Sequence, residues 1–357
     1  MSRQPEFDID AIGRETKEIR SFSVDLPEGL ADLPRGSFLA SSGFCQEDRI
    51  AAEMALRFDG ETLSMPVLTA RGREDGPTLV VTAGVHGDEY EGMEAIYRTY
   101  EALDPGSLTG TFVAVPIVTL TAFWLGIRCN PVDSLNMARV FPGSTDGSFS
   151  QRLAQAVLQR VLRHASFYID LHSSGRNYRM LTLCGYSILG EQAAVAREAA
   201  LAFGAPVVWA HPGTSTGRTL SATLELGIPS LYTEAYGGGH VRPEDVDCYT
   251  RGLANLLKYL DMTELEGAGQ PPGYQPWLLG GSGDMDVAIK CRQGGLFFAS
   301  LDVGARVRPG DLLGIVRSLE GRVVEEVTAP AEGVLILMRA TPRIYPGENI
   351  AALASEA

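Results

Sequence analysis

Two histidines and a glutamate carry the strongest chemical signal in this chain. His86 follows an apolar run, in Gly84-Val-His-Gly-Asp-Glu, and Glu89 lies three residues on, where a helix is expected to start. His172 closes a second apolar run, Tyr168-Ile-Asp-Leu-His. Strand ends of one sheet share an edge, so the three side chains can aim at one point above it. Two imidazoles and one carboxylate leave a fourth position of a tetrahedral zinc ion for water, the pattern of a catalytic site. Taken singly, His86 and Glu89 fit equally a helix N-cap with a surface carboxylate, and His172 a core histidine. The His-Glu-x-x-His helix of the zincins is absent, which excludes that class of metalloprotease.

Other polar residues fall where they can serve such a site. Asp170 sits two residues before His172, so strand alternation points it to the same face. There it either fixes the imidazole tautomer or acts as a plain structural aspartate. Glu234 ends the run Ser230-Leu-Tyr-Thr-Glu, just before Gly237-Gly-Gly. It is either a proton carrier facing the metal or an exposed glutamate ahead of a loop. A polar stretch that starts at Gly126 and runs to Pro142 and Gly143 holds Arg128, Asn136 and Arg139. Guanidinium groups bind carboxylates through two parallel hydrogen bonds, and one can also stabilise an oxyanion. His164, His211 and His240 are read as structural or peripheral, and Arg218 as a looser anion contact.

These residues need a scaffold, and the hydrophobic pattern supplies one. Apolar runs at 78–83, 112–118, 167–172, 179–184, 205–210 and 230–235 read as strands. Helical spacing recurs at 88–103, 151–163, 191–203 and 243–260. Alternation of this kind predicts an α/β sheet with helices on both faces, whose ligands gather at the carboxyl ends of the strands. A hairpin at the sheet edge is expected from 55–58 and 63–70. Residues 1–75 therefore form an N-terminal segment with this hairpin, 76–263 the α/β domain and 264–284 a linker rich in Gly and Pro. From 285 to 357 only short β-type runs appear, so a small all-β domain follows. Its Val307-x-x-Gly-Asp-x-Leu-Gly and Ala329-Pro-x-x-Gly-Val phrases resemble the biotinyl/lipoyl barrel sandwich. The attachment lysine of those carriers is missing from the turn Leu319-Glu-Gly-Arg, which makes the domain a cap and not a swinging arm.

Bulk composition narrows the partners. The 357 residues are 45% apolar and 21% charged, ordinary for a soluble globular protein. The net charge of −14 repels phosphate backbones, so nucleic acid is not an expected partner. Apolar stretches fall short of the ~20 residues of a membrane-spanning helix. Residues 1–20 carry no apolar core of a secretory signal, so a cytoplasmic location is expected. Five cysteines without a Cys-x-x-Cys pair argue against a disulfide framework. A homo-oligomer is compatible with the sequence.

Read together, four phrases in order resemble the succinylglutamate desuccinylase/aspartoacylase family, relatives of the zinc carboxypeptidases. They are Gly84-Val-His-Gly-Asp-Glu, Gly126-x-Arg with Asn136-x-x-Arg-x-Phe-Pro-Gly, Asp170-Leu-His-Ser, and Thr233-Glu, spread over about 79–261. The resemblance implies a mixed sheet of the zinc-carboxypeptidase kind flanked by helices. It also implies one zinc ion per chain on His86, Glu89 and His172, with Glu234 as general base and acid. Arg128 would polarise the scissile carbonyl or stabilise the oxyanion, and Asn136 and Arg139 would hold a substrate carboxylate. The activity implied is hydrolysis, by metal-activated water, of the amide bond of a small N-acyl amino acid. One departure concerns recognition: the family usually has Asn immediately before the second arginine, and here that residue is Ala138. Succinylglutamate and acetylaspartate are therefore not assumed, and an acetylated diamino acid is a comparable substrate. The rivals are a metallocarboxypeptidase acting on short peptides or cell-wall fragments, and a non-catalytic binding protein that kept the scaffold.

Overall fold

The computed structural model describes residues 7–25, 62–212, 215–282 and 288–356. Strands β1 (Thr16–Asp25) and β2 (Thr62–Arg71) pair antiparallel at one edge. They lead into β3 (Glu74–Ala83), which ends in five consecutive buried residues, then helix α1 (Glu91–Ala102) and the buried β4 (Thr109–Val115). Helices α2 (Leu120–Leu125) and α3 (Phe149–Arg160) precede β5 (Phe167–Ser173), buried along its whole length. Next come β6 (Tyr178–Met180), β7 (Leu183–Ser187), α4 (Ala193–Phe203), β8 (Val207–His211), α5 (Thr219–Glu225), β9 (Ser230–Ala235) and α6 (Pro243–Tyr259). Runs as uniformly apolar as β4 and β5 need cover on both faces, which parallel pairing through helical crossovers provides. Accordingly β3 pairs parallel with β4 and β5, and β5 parallel with β9, whereas β7 runs antiparallel to β9.

Adjacent residues of β5 show the two faces directly. Leu171 packs beneath α1, where a Cβ on Gly92 would stand 2.6 Å from the Leu171 Cβ and 3.0 Å from that of Ala83. Asp170 points the other way and accepts a hydrogen bond from the Thr219 hydroxyl at the start of α5. Helices therefore flank both faces, as the alternation requires. The α1 contact admits no methyl group at Gly92. Gly92→Ala is expected to lower unfolding free energy by about 1–3 kcal/mol, because overpacking outweighs the gain in helix propensity. Denaturant unfolding measures this, and a stability at or above wild type contradicts the packing argument.

The ladder does not stop at the α/β layer. Strand β10 (Trp277–Gly280), which falls within 264–284, pairs parallel with β8 and antiparallel with the last strand. Beyond it lie β11 (Ile289–Lys290), β12 (Gly295–Ala299), β13 (Arg306–Val307), β14 (Leu312–Arg317), β15 (Val323–Thr328), β16 (Gly333–Arg339), β17 (Arg343–Ile344) and β18 (Asn349–Glu356). Among the described residues the main sheet holds 14 strands. Their order is β1-β2-β4-β3-β5-β9-β7-β8-β10-β18-β16-β13, with β11 on β18 and β6 on β16. A second antiparallel sheet, β15-β14-β12-β17, faces its C-terminal part. Phe297, Leu313 and Val316 from one sheet and Leu335, Met338 and Ile350 from the other form a core of their own. The turn between β14 and β15 exposes Leu319 and presents no lysine.

Some elements differ from the sequence expectation. Strand β2 pairs antiparallel with β1 on one side and β4 on the other, whereas residues 55–58 lie outside the described residues. The run 179–184 is two strands, because β6 leaves the α/β layer to pair with β16. No element is expected between the strand at 112–118 and residue 147, where the structure has α2 and, within the polar stretch, a 3-10 turn, Met137–Arg139. Cys129, Cys184, Cys248 and Cys291 are free thiols. Among the described residues no helix is long and apolar enough to cross a membrane.

Candidate active site

Parallel register sets the geometry of the site. His172 stands opposite Glu234 in the β5–β9 pair, and Ala83 opposite Leu171 in the β3–β5 pair. His86, three residues past Ala83, therefore emerges at the level of His172. Ligand atoms of His86, Glu89 and His172 all lie within 4.8 Å of one another, and the three side chains are almost completely buried. Glu89 sits at the centre. Its Oε1 meets His86 Nδ1 at 2.7 Å and accepts from the Arg128 guanidinium at 3.0 Å. Its Oε2 accepts from His172 Nδ1 at 2.9 Å and from the Ser173 amide at 3.2 Å.

A supporting layer fixes these groups. Asp170, fully buried, faces His172 Nε2 at 3.0 Å and accepts from the Thr82 and Thr219 hydroxyls at 2.7 and 2.6 Å. It therefore orients the imidazole, the first of the two roles its position allowed. The Tyr249 hydroxyl donates to the His172 carbonyl at 2.7 Å. Asn136 is engaged too: its Oδ1 accepts from the Ala138 amide and also lies 2.9 Å from His86 Nε2. Arg139 donates to the Ala138 carbonyl, and both residues line the cleft beside the histidines.

The electrostatics favour a cation. Burial, and after it the Arg128 charge, lowers the His86 pKa to about 4, so its ring is neutral at physiological pH with a lone pair to offer. Burial opposes a charge on His172, but Asp170 and then Glu89 outweigh it and hold the ring protonated well above its usual range. Burial likewise opposes the Glu89 carboxylate, and His86 and His172 more than offset it, so Glu89 stays ionised. The pocket thus already stabilises a positive charge between its carboxylates, and its donors, two imidazoles and a carboxylate, are those a divalent metal takes. Burial, with the repulsion of Glu89, raises the Glu234 carboxyl to about 7 against the pull of His172. Its Oε2 is sealed from solvent and makes no hydrogen bond among the described residues.

A cleft of about 650 Å³ opens over this group on the α5 face of the sheet. Its walls include His86, Arg128, Arg139, His172 and Glu234, all anticipated from the sequence. Arg218, at the N-cap of α5, lines it as well. The wall residues that were not anticipated include Trp209, His211 and Tyr232. His211 is thus a cleft residue, not a peripheral one, because β8 lies only two strands from β9. Tyr232 was within reach of the alternation rule, being two residues before Glu234 on the same face of β9. The β8 pair needed the strand order, which the sequence does not display.

Comparison with known proteins agrees with this layout. Residues 75–260 match the succinylglutamate desuccinylase/aspartoacylase catalytic domain. The chain is 30% identical over 295 residues to N-alpha-acetyl-L-2,4-diaminobutyric acid deacetylase of Halomonas elongata, covering 81% of this chain and 85% of that protein. The product-bound ectoine utilization protein EutE of Ruegeria pomeroyi has a similar structure. Its TM-score is 0.76 at 28% identity, covering 82% of this chain and 90% of that one. A succinylglutamate desuccinylase/aspartoacylase from Rhodobacter sphaeroides gives a TM-score of 0.75, also at 28% identity, with 83% and 90% covered.

Proposed function

We propose, from the premise that the chain belongs to the succinylglutamate desuccinylase/aspartoacylase family and is an amide-bond deacylase of small acylated amino acids, that it works with one zinc ion held by His86, Glu89 and His172. The observation that carries this reading is the convergence of those ligand atoms within 4.8 Å, with Glu234 opposite His172 across the strand pair. When bound, the ion supplies Lewis acidity, acidifying water and polarising the acyl carbonyl. Asp170 keeps the His172 ring in one orientation. Glu234 takes a proton from the attacking water and passes it to the leaving nitrogen, a task that suits a carboxyl raised toward neutrality. Arg128, anchored on Glu89, stabilises the charge that develops on the carbonyl oxygen. Arg139 and the amide group of Asn136 receive the substrate carboxylate. Ala138 removes one donor from that floor, so the carboxylate is held by fewer groups.

The segment 285–357 acts as the cap over 76–263, and the cap separates this reading from the peptidase rival. Met180, in the cleft wall, belongs to β6, which is bonded along β16 of the C-terminal sheet, a position from which the cap would narrow the entrance. A small substrate fits such an opening better than a peptide of several residues. We place the activity in the cytoplasm, on a small molecule and without nucleic acid. An N-acetylated diamino acid, the compound class in the name of the Halomonas relative, is the first substrate to try. The test is a panel of N-acetyl, N-succinyl and N-formyl amino acids, with short peptides beside them, read by amine release and metal analysis. Turnover of at least one panel member with one zinc per chain is expected. No turnover, or peptide cleavage alone, removes the proposal.

A further inference from the structure

We propose that Tyr232 sets the substrate preference of this cleft, its hydroxyl binding a polar, hydrogen-bonding group on the part of the substrate seated against β8 and β9. The inference rests on the deacylase reading above and deepens it. Three residues form one row across the sheet: Trp209 on β8, Gly185 on β7 and Tyr232 on β9. Side chains in such a row share a face, and Glu234, two residues beyond Tyr232, shares it too. Gly185 stands between the aromatic residues, where a Cβ would lie only 2.2–2.6 Å from the Tyr232 ring edge and hydroxyl. The tyrosine ring therefore lies across the glycine, in a seat that no other residue type leaves open.

The seat is braced. The His211 ring packs on Tyr232 with centroids 5.6 Å apart, and Trp209 meets His211 edge-on at 6.4 Å. The Trp209 indole N–H donates to the Gly280 carbonyl at 3.1 Å, which ties this wall to β10. A phenol held this way has a defined direction, yet the Tyr232 hydroxyl is shut off from solvent and has no hydrogen-bond partner among the described residues. Leaving a buried hydroxyl unpaired costs free energy. A substrate that brings a polar group to this point removes the cost, and one that brings a methyl group leaves it in place. Sites built this way reject the apolar analogue far more strongly than a hydrophobic pocket rejects a missing methylene. Tyr232 is accordingly the specificity-determining residue, and Gly185 positions it.

Two pairs of substrates locate the polar group. One varies the side chain, N-acetyl-2,4-diaminobutyrate against N-acetylnorvaline. The other varies the acyl end, an N-succinyl amino acid against its N-(4-methylpentanoyl) twin. The zinc-loaded wild-type enzyme is expected to favour the polar member of one pair by about 100-fold or more in kcat/KM. In Tyr232→Phe that ratio falls at least tenfold, with zinc content and thermal stability unchanged. Gly185→Ala, which pushes the ring off its seat, loses the same preference. A ratio left intact by Tyr232→Phe in both pairs overturns the proposal, as does an equal loss on both members. A wild-type enzyme that hydrolyses none of the four compounds counts against the deacylase reading instead. The same comparison then uses calorimetric binding of diaminobutyrate and norvaline, and of succinate and 4-methylpentanoate. Equal effects of Tyr232→Phe on both members of each of these pairs overturn the proposal too.

Discussion

Glu234→Gln is expected to bind zinc with wild-type stoichiometry and to turn over substrate about 10³-fold more slowly, within the range that a positioned acid or base contributes. The substitution keeps size and polarity but removes the capacity to carry a proton. Glu234 is not among the three clustered ligand residues, so its loss leaves the metal pocket whole. It stands opposite His172 in the β5–β9 register, with Oε2 unpaired at the cleft. Burial keeps its carboxyl near 7, above the ordinary glutamate value of 4.5. A base must be ionised to act, so wild-type kcat/KM falls as the pH drops through the Glu234 titration, and the residual activity of the variant lacks that limb. Metal analysis beside a pH–rate profile checks both halves. Full activity in Glu234→Gln with zinc bound removes the mechanism.

His86→Ala is expected to lose zinc and turnover together. Zinc present at about 1,000 times its dissociation constant stabilises a protein by roughly 4 kcal/mol. The wild-type protein should gain a thermal shift of that origin and the variant should not. Neutral His86 gives up no proton when a cation arrives, whereas His172, charged in the metal-free pocket, must release one. Zinc affinity should therefore weaken as the pH falls, because protons compete for the same imidazole. Wild-type zinc affinity in His86→Ala, measured by competition with a chelator, contradicts the three-ligand pocket.

What could be read in advance follows the physics of each element. The ends of β3, β5 and β9 were legible because uniformly apolar runs stop at polar residues able to do chemistry, and parallel strands share an edge. Strand β1 was not, since Ile19 is exposed while its polar neighbours Arg20 and Ser21 are buried, so its apolar pattern does not alternate cleanly. Helix α2, six residues long, is too short to show a helical period, and the turn at Met137–Arg139 was hidden in a stretch rich in Pro, Asn and Gly, where composition speaks for a loop. Of the site, the histidines, the two carboxylates and the cleft arginines were within reach of motif spacing. The hydrogen bonds of Asn136 to its own turn, and the wall of Trp209 and His211, were not. They depend on strand order, with β7 inserted antiparallel between β9 and β8, and no local pattern encodes that.

Strand β10 has a consequence for how substrate enters. Hydrogen bonds on both of its sides join the catalytic layer to the terminal strand, and Trp209, Leu279 and Ile336 form one apolar cluster across that seam. A hinge there would have to break backbone ladder bonds and expose the cluster to water at each turnover. The catalytic layer and the terminal sheet are thus welded into one ladder at this seam, and any adjustment that admits substrate falls to side chains and loops.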